Sequence, residues 1–229
     1  MYDIPIDLKL LEKEIIAYEQ QPIEKGKILF YGHSMFTRWG SPKWGFRRMD
    51  EDIRMKDGSL AVVNHGFGTS TSEEMLYYYH RMVKPWEPRA LVIMSLANDG
   101  MYGIGVEQTL CNISRLCLWA RTDFPGIKIF LVETHPHPKM ATSPLPDKWN
   151  SGIHRKNQYN RAIAQYAQCH EDTTCITLWD KPDFFKDEEH IGDIHFIREE
   201  LFAPDGVHLN QAGYDVFGPI IREALDDLL

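Results

Sequence analysis

The chain has 229 residues, of which 43% are hydrophobic and 25% are charged, and its formal net charge is −8. This balance is typical of a folded globular protein and excludes a largely disordered one. Lys and Arg form no cluster along the sequence. The average field would therefore repel phosphate groups, and we expect no nucleic-acid partner.

The sequence also bears on location and domain organisation. The first twenty residues are charged throughout and lack the apolar core of a secretion signal. The longest apolar stretch, Ala90 to Ala97, is interrupted by Ser95 and is far shorter than the ~20 residues of a membrane span. We expect a cytoplasmic protein with no membrane partner and a single domain over residues 1–229. Residues 1–25 are predicted to be a helical extension packed on it, and the sequence does not indicate an oligomeric state.

The apolar pattern predicts alternating helices and strands. Four apolar residues fall on one face of a first helix, namely Leu8, Leu11, Ile15 and Tyr18. Short apolar runs then predict five strands at Lys27–Tyr31, Ser59–Asn64, Arg89–Leu96, Ile127–Glu133 and Thr174–Trp179. Further helices are predicted at Ser72–Val83 with Ser72 as N-cap, Val106–Arg121, His154–His170 and Gln211–Leu229.

Strands that are apolar throughout and alternate with helices indicate a parallel sheet covered on both faces, which is a doubly wound α/β fold. In such a sheet, ligands bind outside the carboxyl ends of the strands. The loops that leave the first three predicted strands carry small and polar residues, at 32–34, 66–69 and 97–99. We expect these loops to meet in one concave site.

Two segments at opposite ends of the chain carry residues suited to nucleophilic catalysis. Ser34 follows the first predicted strand, and a serine hydroxyl needs a neighbouring base to act as a nucleophile. Asp205 and His208 lie three residues apart just before the last helix, a spacing that lets a carboxylate orient an imidazole. Each has a simpler explanation alone, since Ser34 could cap a helix and Asp205 a turn. Together they fall on the predicted ligand side of the sheet, which favours a shared catalytic role.

Four motifs in order along the chain resemble those of the SGNH hydrolases, also called GDSL-type esterases and lipases. They are Gly-x-Ser at 32–34, Asn-x-Gly-x-Gly at 64–68, Asn-Asp at 98–99 and Asp-x-x-His at 205–208. The segments NHGFGTST and LFAPDGVHLNQAGY look most like the acetylhydrolase-like branch. The resemblance implies a three-layer α/β/α flavodoxin-like fold with a parallel sheet of about five strands. It also implies hydrolysis of esters with small acyl groups, without a metal or cofactor.

The resemblance also assigns roles to residues. It implies that Ser34 is the nucleophile, His208 the base and Asp205 the acid that orients it. The implied oxyanion donors are the Ser34 backbone N–H, the Asn98 side chain and the backbone of Thr69, with Gly68 as the alternative. Three positions depart from the family pattern, since His33 replaces an aspartate while Leu96 and Thr69 replace glycines.

Four further residues are predicted to contact the substrate. His33 and Phe36 flank the nucleophile in the sequence, while His135 and Trp149 lie in a segment, 135–153, that is predicted to be a long irregular loop. His135 and His137 also invite a metal-binding interpretation. No third ligand of suitable spacing follows them, so we expect no metal there.

The predicted function is that of a serine esterase, which hydrolyses a small acyl ester through an acyl-Ser34 intermediate, with acetyl as the expected acyl group. The expected partner is a small-molecule or carbohydrate acyl ester, with the alcohol half left open. Thioester hydrolysis or acyl transfer would use the same site. Outside this class, a binding protein that has lost efficient catalysis and a flavin-binding flavodoxin-like domain are the alternatives.

Overall fold

The protein is described by a computed structural model that covers residues 11–40, 42–142 and 146–229. Its five strands form one sheet and are β1 (Ile28–Gly32), β2 (Val62–Gly66), β3 (Ala90–Met94), β4 (Lys128–Val132) and β5 (Thr173–Ile176). The strand order is β2-β1-β3-β4-β5, and every neighbouring pair is parallel. This is the flavodoxin-like order, in which β1 and β3 flank the topological switch point. The predicted α/β fold and its five strands are confirmed.

The helices cover both faces of the sheet. They are α1 (Glu12–Glu19), α2 (Ser34–Arg38), α3 (Met49–Asp52), α4 (Ser72–Met82), α5 (Val106–Asp123), α6 (Lys139–Thr142), α7 (Pro146–Gln168) and α8 (Gln211–Ala224). Short 3-10 helices lie at Pro42–Trp44, Lys84–Trp86, Pro182–Phe184, Glu188–His190, Ile194–Phe196, Glu199–Leu201 and Asp226–Leu228. In the described part of the chain, no helix combines the length and the hydrophobicity needed to cross a membrane.

The central strands supply two separate hydrophobic cores. Phe30 of β1 and Val92 of β3 face a core with residues of α2, α3 and α8, while Leu29 and Ile93 face a core with residues of α1, α4, α5 and α7. Successive side chains of a strand point to opposite faces. A strand buried on both faces must therefore be apolar at every position, which is the pattern the sequence shows.

Two predicted boundaries differ from the structure. Thr71, and not Ser72, is the N-cap of α4, because the Thr71 hydroxyl accepts from the Glu74 N–H and the Glu74 carboxylate accepts from the Thr71 N–H. The helix α7 begins at Pro146, eight residues earlier than predicted from His154, so the segment 135–153 is largely helical. Proline is compatible with the first position of a helix, where its missing N–H has no partner to lose. Leu8, predicted on the apolar face of the first helix, lies outside the described residues.

Candidate active site

The loop from β1 to α2 places Ser34 at the carboxyl edge of the sheet. β1 ends at Gly32, and Ser34 is the first residue of α2. A Cβ at Gly32 would lie 2.5 Å from the Met94 carbonyl oxygen of β3, so this turn requires glycine. His33 caps α2, since its Nδ1 accepts from the Met35 N–H at 3.4 Å. The Ser34 N–H is one of the first helical donors, which have no acceptor within their own helix.

His208 reaches Ser34 from the loop that precedes α8. The Ser34 Oγ lies 2.9 Å from the His208 Nε2, although the two residues are 174 positions apart in the sequence. The loop is a tight turn in which Gly206 has φ +67° and the Ala203 N–H donates to the His208 carbonyl oxygen at 2.7 Å. The juxtaposition predicted from the two ends of the chain is present in the structure.

Asp205 fixes the orientation of the His208 ring. Its Oδ2 lies 2.8 Å from the His208 Nδ1, and its Oδ1 accepts from the N–H groups of Val207 and His208 at 2.9 Å each. An ionised carboxylate can only accept hydrogen bonds, so the Nδ1 carries the proton. The neutral ring then presents an unprotonated Nε2 to the Ser34 hydroxyl, which is the tautomer a general base needs.

The charge states of the pair follow from its surroundings. Burial alone would raise the pKa of Asp205, but hydrogen bonds from the backbone of His208 and Val207 and from the His208 ring outweigh it and lower the pKa. Burial lowers the pKa of His208 and the Arg38 cation adds to this, while the Asp205 carboxylate opposes both. The net direction is downward, which keeps the imidazole neutral at neutral pH.

Arg38 is a site residue that the sequence analysis missed. It lies one helical turn after Ser34, and its guanidinium Nη1 is 3.3 Å from the Asp205 Oδ2. The guanidinium also stacks over the Trp44 ring at 4.3 Å from the centroid. A spacing of four residues on one helix places two side chains on the same face, and this signal was available in the sequence.

The loop after β2 carries the predicted backbone donor. Thr69 adopts φ +63°, a left-handed conformation that is uncommon for a β-branched residue and readily adopted by glycine. The Gly68 N–H donates to the Glu14 carboxylate of α1 at 3.2 Å. Because the Gly68 donor is engaged, Thr69 is the better candidate of the two.

Asn98 is held beside this loop. Its Nδ2 donates to the Ser70 carbonyl oxygen at 2.9 Å. A side-chain amide has two N–H donors, so this hydrogen bond fixes the side chain and uses one of them. Leu96, at φ +82°, is the second non-glycine residue that keeps a glycine-like backbone where the family pattern has a glycine.

A buried carboxylate, Asp99, ties the loop after β3 to two helices. It is fully buried and accepts from the Ser72 N–H of α4 at 3.2 Å and from the Thr109 hydroxyl of α5 at 3.0 Å. The Ser72 hydroxyl also donates to it. Since Asp99 follows Asn98 directly, this network positions Asn98. Asp99 belongs to the Asn-Asp motif at 98–99, but its role was not predicted from the sequence.

Three of the four predicted substrate contacts are buried side chains. Phe36 is 0% exposed and its ring packs edge-on against Phe30, so it belongs to the core and is not placed to contact a substrate. His33 is 2% exposed and caps α2. His135 is 4% exposed, and its Nε2 is 2.7 Å from the Val207 carbonyl oxygen, so it supports the loop that carries His208. Proximity in sequence does not determine the direction of a side chain, so the burial of these three residues does not support the predicted contacts, which stay predictions. Trp149 falls in α7, and its side chain lies outside the described ones.

His135 and His137, which were considered as metal ligands, are buried in the structure. Burial lowers the pKa of His135 to about 4 and that of His137 to about 3, with smaller contributions from neighbouring histidines. Both rings are therefore neutral at neutral pH. Within the described residues, the His, Cys, Asp and Glu side chains form no group of three or more that could hold a metal ion.

Solved structures of esterases and lipases share this fold at low sequence identity. A GDSL-like lipase from Bacteroides thetaiotaomicron has 19% identity and a TM-score of 0.69, covering 97% of this chain and 98% of that one. The acetyl xylan esterase AlAXEase has 16% identity and a TM-score of 0.64, over 87% and 99% of the two chains. A variant of an acetyl-xylooligosaccharide esterase from Geobacillus Stearmophilus has 17% identity and a TM-score of 0.62, over 91% and 96%. At these identities the likeness establishes the fold.

Comparison with curated protein sequences gave no match. The sequence model of the GDSL-like lipase/acylhydrolase family, in contrast, matches residues 30–216, from the middle of β1 into α8. This range contains Ser34, the loops after β2 and β3, and the turn with Asp205 and His208. The resemblance inferred from the four motifs is thereby confirmed, and the chain belongs to the GDSL-like lipase/acylhydrolase family.

Proposed function

We propose that this protein is a serine esterase that hydrolyses a small acyl ester, of acetyl size, through an acyl-Ser34 intermediate. The observation that carries the proposal is the Ser34 Oγ at 2.9 Å from the His208 Nε2, with the opposite ring nitrogen 2.8 Å from Asp205. Hydrogen bonds thus link the nucleophile to a base, and the base to the group that orients it.

In the first half-reaction, the His208 Nε2 takes the Ser34 proton as the Oγ attacks the ester carbonyl carbon. The resulting imidazolium is stabilised by Asp205, and it returns the proton to the alkoxide leaving group when the C–O bond breaks. In the second half-reaction, His208 takes a proton from water, which attacks the acyl-enzyme. The proton then passes to the Ser34 Oγ as the acid is released, which restores the starting state.

Three N–H donors are assigned to the oxyanion that forms during each attack. They are the Ser34 backbone N–H at the start of α2, the Thr69 backbone N–H and the second N–H of the Asn98 amide. Donors of this kind, fixed before the reaction, often contribute about 3 kcal/mol each to transition-state stabilisation. For Asn98, the contacts of Asp99 and Ser70 supply that fixation.

The motifs and the structural neighbours are the basis on which we propose the acyl group and the alcohol half of the substrate. Two of the structural neighbours are esterases of acetylated xylan or xylo-oligosaccharides, and the motifs resemble those of the acetylhydrolase-like branch. We propose that the substrates are acetyl esters of small molecules or carbohydrates.

The proposal is tested by comparing the parent with Ser34→Ala on p-nitrophenyl esters of two to eight carbons and on acetylated xylose. We expect Ser34→Ala to lower kcat by about a thousandfold or more, and the parent kcat/KM to fall with acyl length. Ser59→Ala is the matched control, because Ser59 is an exposed loop serine that precedes β2, at the edge of the sheet opposite the loop that carries Thr69. An organophosphonate should add its mass to Ser34 in the parent. Hydrolysis by Ser34→Ala at the parent rate would refute the assignment.

A further inference from the structure

The loop that carries Thr69 leaves an edge strand. Among the described residues, β2 is an edge strand of the sheet that pairs with β1 alone, and no other described strand lies on the opposite side of its backbone. The loop then passes through Gly68 to Thr69, whose φ of +63° is unfavourable for threonine. A strained residue of this kind keeps its conformation only where the surrounding contacts hold it.

Helix α1 provides contacts at that edge. The Tyr18 hydroxyl donates to the Gly66 carbonyl oxygen at 2.5 Å, and the Tyr18 ring lies 4.7 Å from the His65 ring. One turn earlier on the same helix, the Glu14 carboxylate accepts from the Gly68 N–H at 3.2 Å. Two side chains at a spacing of four residues therefore hold the backbone on either side of Phe67, directly before Thr69.

The helix is itself fixed to the domain. Ile15 is fully buried in the core formed with α4 and α5. The Arg81 guanidinium of α4 donates to Glu12 at 2.9 Å and to Glu19 at 2.6 and 2.7 Å, so it clamps both ends of α1. With its ends and its apolar face held, α1 presents Glu14 and Tyr18 to the loop as a rigid support.

We propose that α1 is a positioning element for the oxyanion site, in which Glu14 and Tyr18 hold the loop that presents the Thr69 N–H. The inference rests on the proposed function, since it assumes that this N–H receives the oxyanion. Neither residue is catalytic. Both act through the backbone of residues 66–69. This role accounts for the position of the exposed Glu14 carboxylate, which lies against a loop that serves a negatively charged transition state.

The experiment measures kcat and KM for acetyl ester hydrolysis together with amide hydrogen exchange at Gly68. Glu14→Ala removes the acceptor, and we expect kcat to fall about tenfold, KM to stay within about twofold, and Gly68 exchange to rise about tenfold. Glu14→Gln keeps an oxygen acceptor and should restore most of the parent kcat. Tyr18→Phe keeps the ring on His65, and it should lower kcat severalfold through loss of the hydroxyl alone.

Glu24→Ala is the matched control, because Glu24 is an exposed carboxylate that follows the same helix, and it should leave kcat and Gly68 exchange unchanged. Equal kcat values for an active parent and Glu14→Ala would overturn the inference while leaving the proposed function intact. So would a Glu14→Gln variant as slow as Glu14→Ala, because geometry would then not be the cause. A parent no faster than Ser34→Ala would instead overturn the proposed function itself.

Discussion

At the scale of single residues, Arg38 connects the nucleophile helix to the acid. The guanidinium lies 3.3 Å from Asp205 and disfavours a second positive charge on His208, whose pKa it helps to lower. The same contact restrains the carboxylate that orients the ring. A cation beside a catalytic imidazole therefore has two opposite effects, since it improves the position of the base and weakens its proton affinity.

The lowered pKa of His208 determines how activity depends on pH. A general base acts in its neutral form, which predominates above its pKa, so a lower pKa extends activity to lower pH. We expect the acid limb of kcat/KM to have its midpoint below 6.5, the ordinary value for histidine. The measurement is a pH profile in buffers of constant ionic strength. A midpoint at or above 6.5 would contradict the buried, cation-flanked setting described for His208.

Replacing Arg38 should shift the acid limb of the pH profile of kcat/KM to higher pH. Arg38→Met keeps much of the stem and removes the charge, so protonation of His208 becomes easier and the midpoint should rise. The rate above the midpoint should fall by up to about tenfold, the equivalent of ~1.4 kcal/mol, because Asp205 loses a restraint. Arg38→Lys is the control and should move the midpoint less. A midpoint that falls in Arg38→Met would show that the cation does not act on His208.

At the scale of elements, the packing of α2 against β2 decides where Ser34 lies. A Cβ added at Gly66 would come within 2.4 Å of the Thr37 backbone nitrogen and 2.6 Å of the Phe36 Cβ. Real Cβ atoms do not approach backbone so closely, so α2 can occupy its position only because residue 66 has no side chain. Ser34 begins this helix, and its position therefore depends on a glycine of the neighbouring strand.

The prediction for this contact is that Gly66→Ala lowers both stability and activity. Overpacking of a close contact typically costs about 1–3 kcal/mol in the free energy of unfolding, measured here by urea denaturation. Displacement of α2 should also lower kcat by about a hundredfold, since a shift of about 1 Å at the reacting atoms has effects of that size. Gly105→Ala is the matched control, because Gly105 has φ −70° and its added Cβ would lie at an ordinary contact distance, 3.5 Å, from the Glu107 side chain. Equal losses in both variants would argue against the proposed contact.

The elements were largely predictable from the sequence, and their contacts were not. Apolar runs predicted all five strands to within three residues at every end, because burial on both faces forces continuous hydrophobicity. The predicted meeting of Ser34 and His208 required only that the loops carrying them lie at the same edge of the sheet. The burial of Phe36 and the Gly68–Glu14 hydrogen bond depend on how α2 and α1 pack. No local pattern encodes that packing.

At the scale of the whole molecule, buried neutral histidines make the fold sensitive to acid. Burial lowers the pKa of His33 and His137 to about 3 and that of His65 and His135 to about 4. In the unfolded chain each would titrate near 6.5. Below that pH the unfolded state binds protons that the native state does not, so stability falls as the pH falls. The effect is absent above about pH 7, where the histidines are neutral in both states.

We expect the free energy of unfolding to decrease steeply between pH 7 and pH 5, by about 1.4 kcal/mol per buried histidine for each pH unit well below 6.5. Glu74 and Glu133, whose pKa values burial raises, act in the opposite direction, so the net slope is smaller than the histidines alone would give. Urea titrations at half-unit pH steps measure this slope. His65→Asn is the diagnostic variant, because it removes one titrating group. The His65 ring packs between Tyr18 and Trp86, and His65 is distant from Ser34 in the sequence. For this variant, the slope of the free energy of unfolding against pH should be shallower than that of the parent by the contribution of about one histidine. Identical slopes would mean that the fold does not hold His65 neutral.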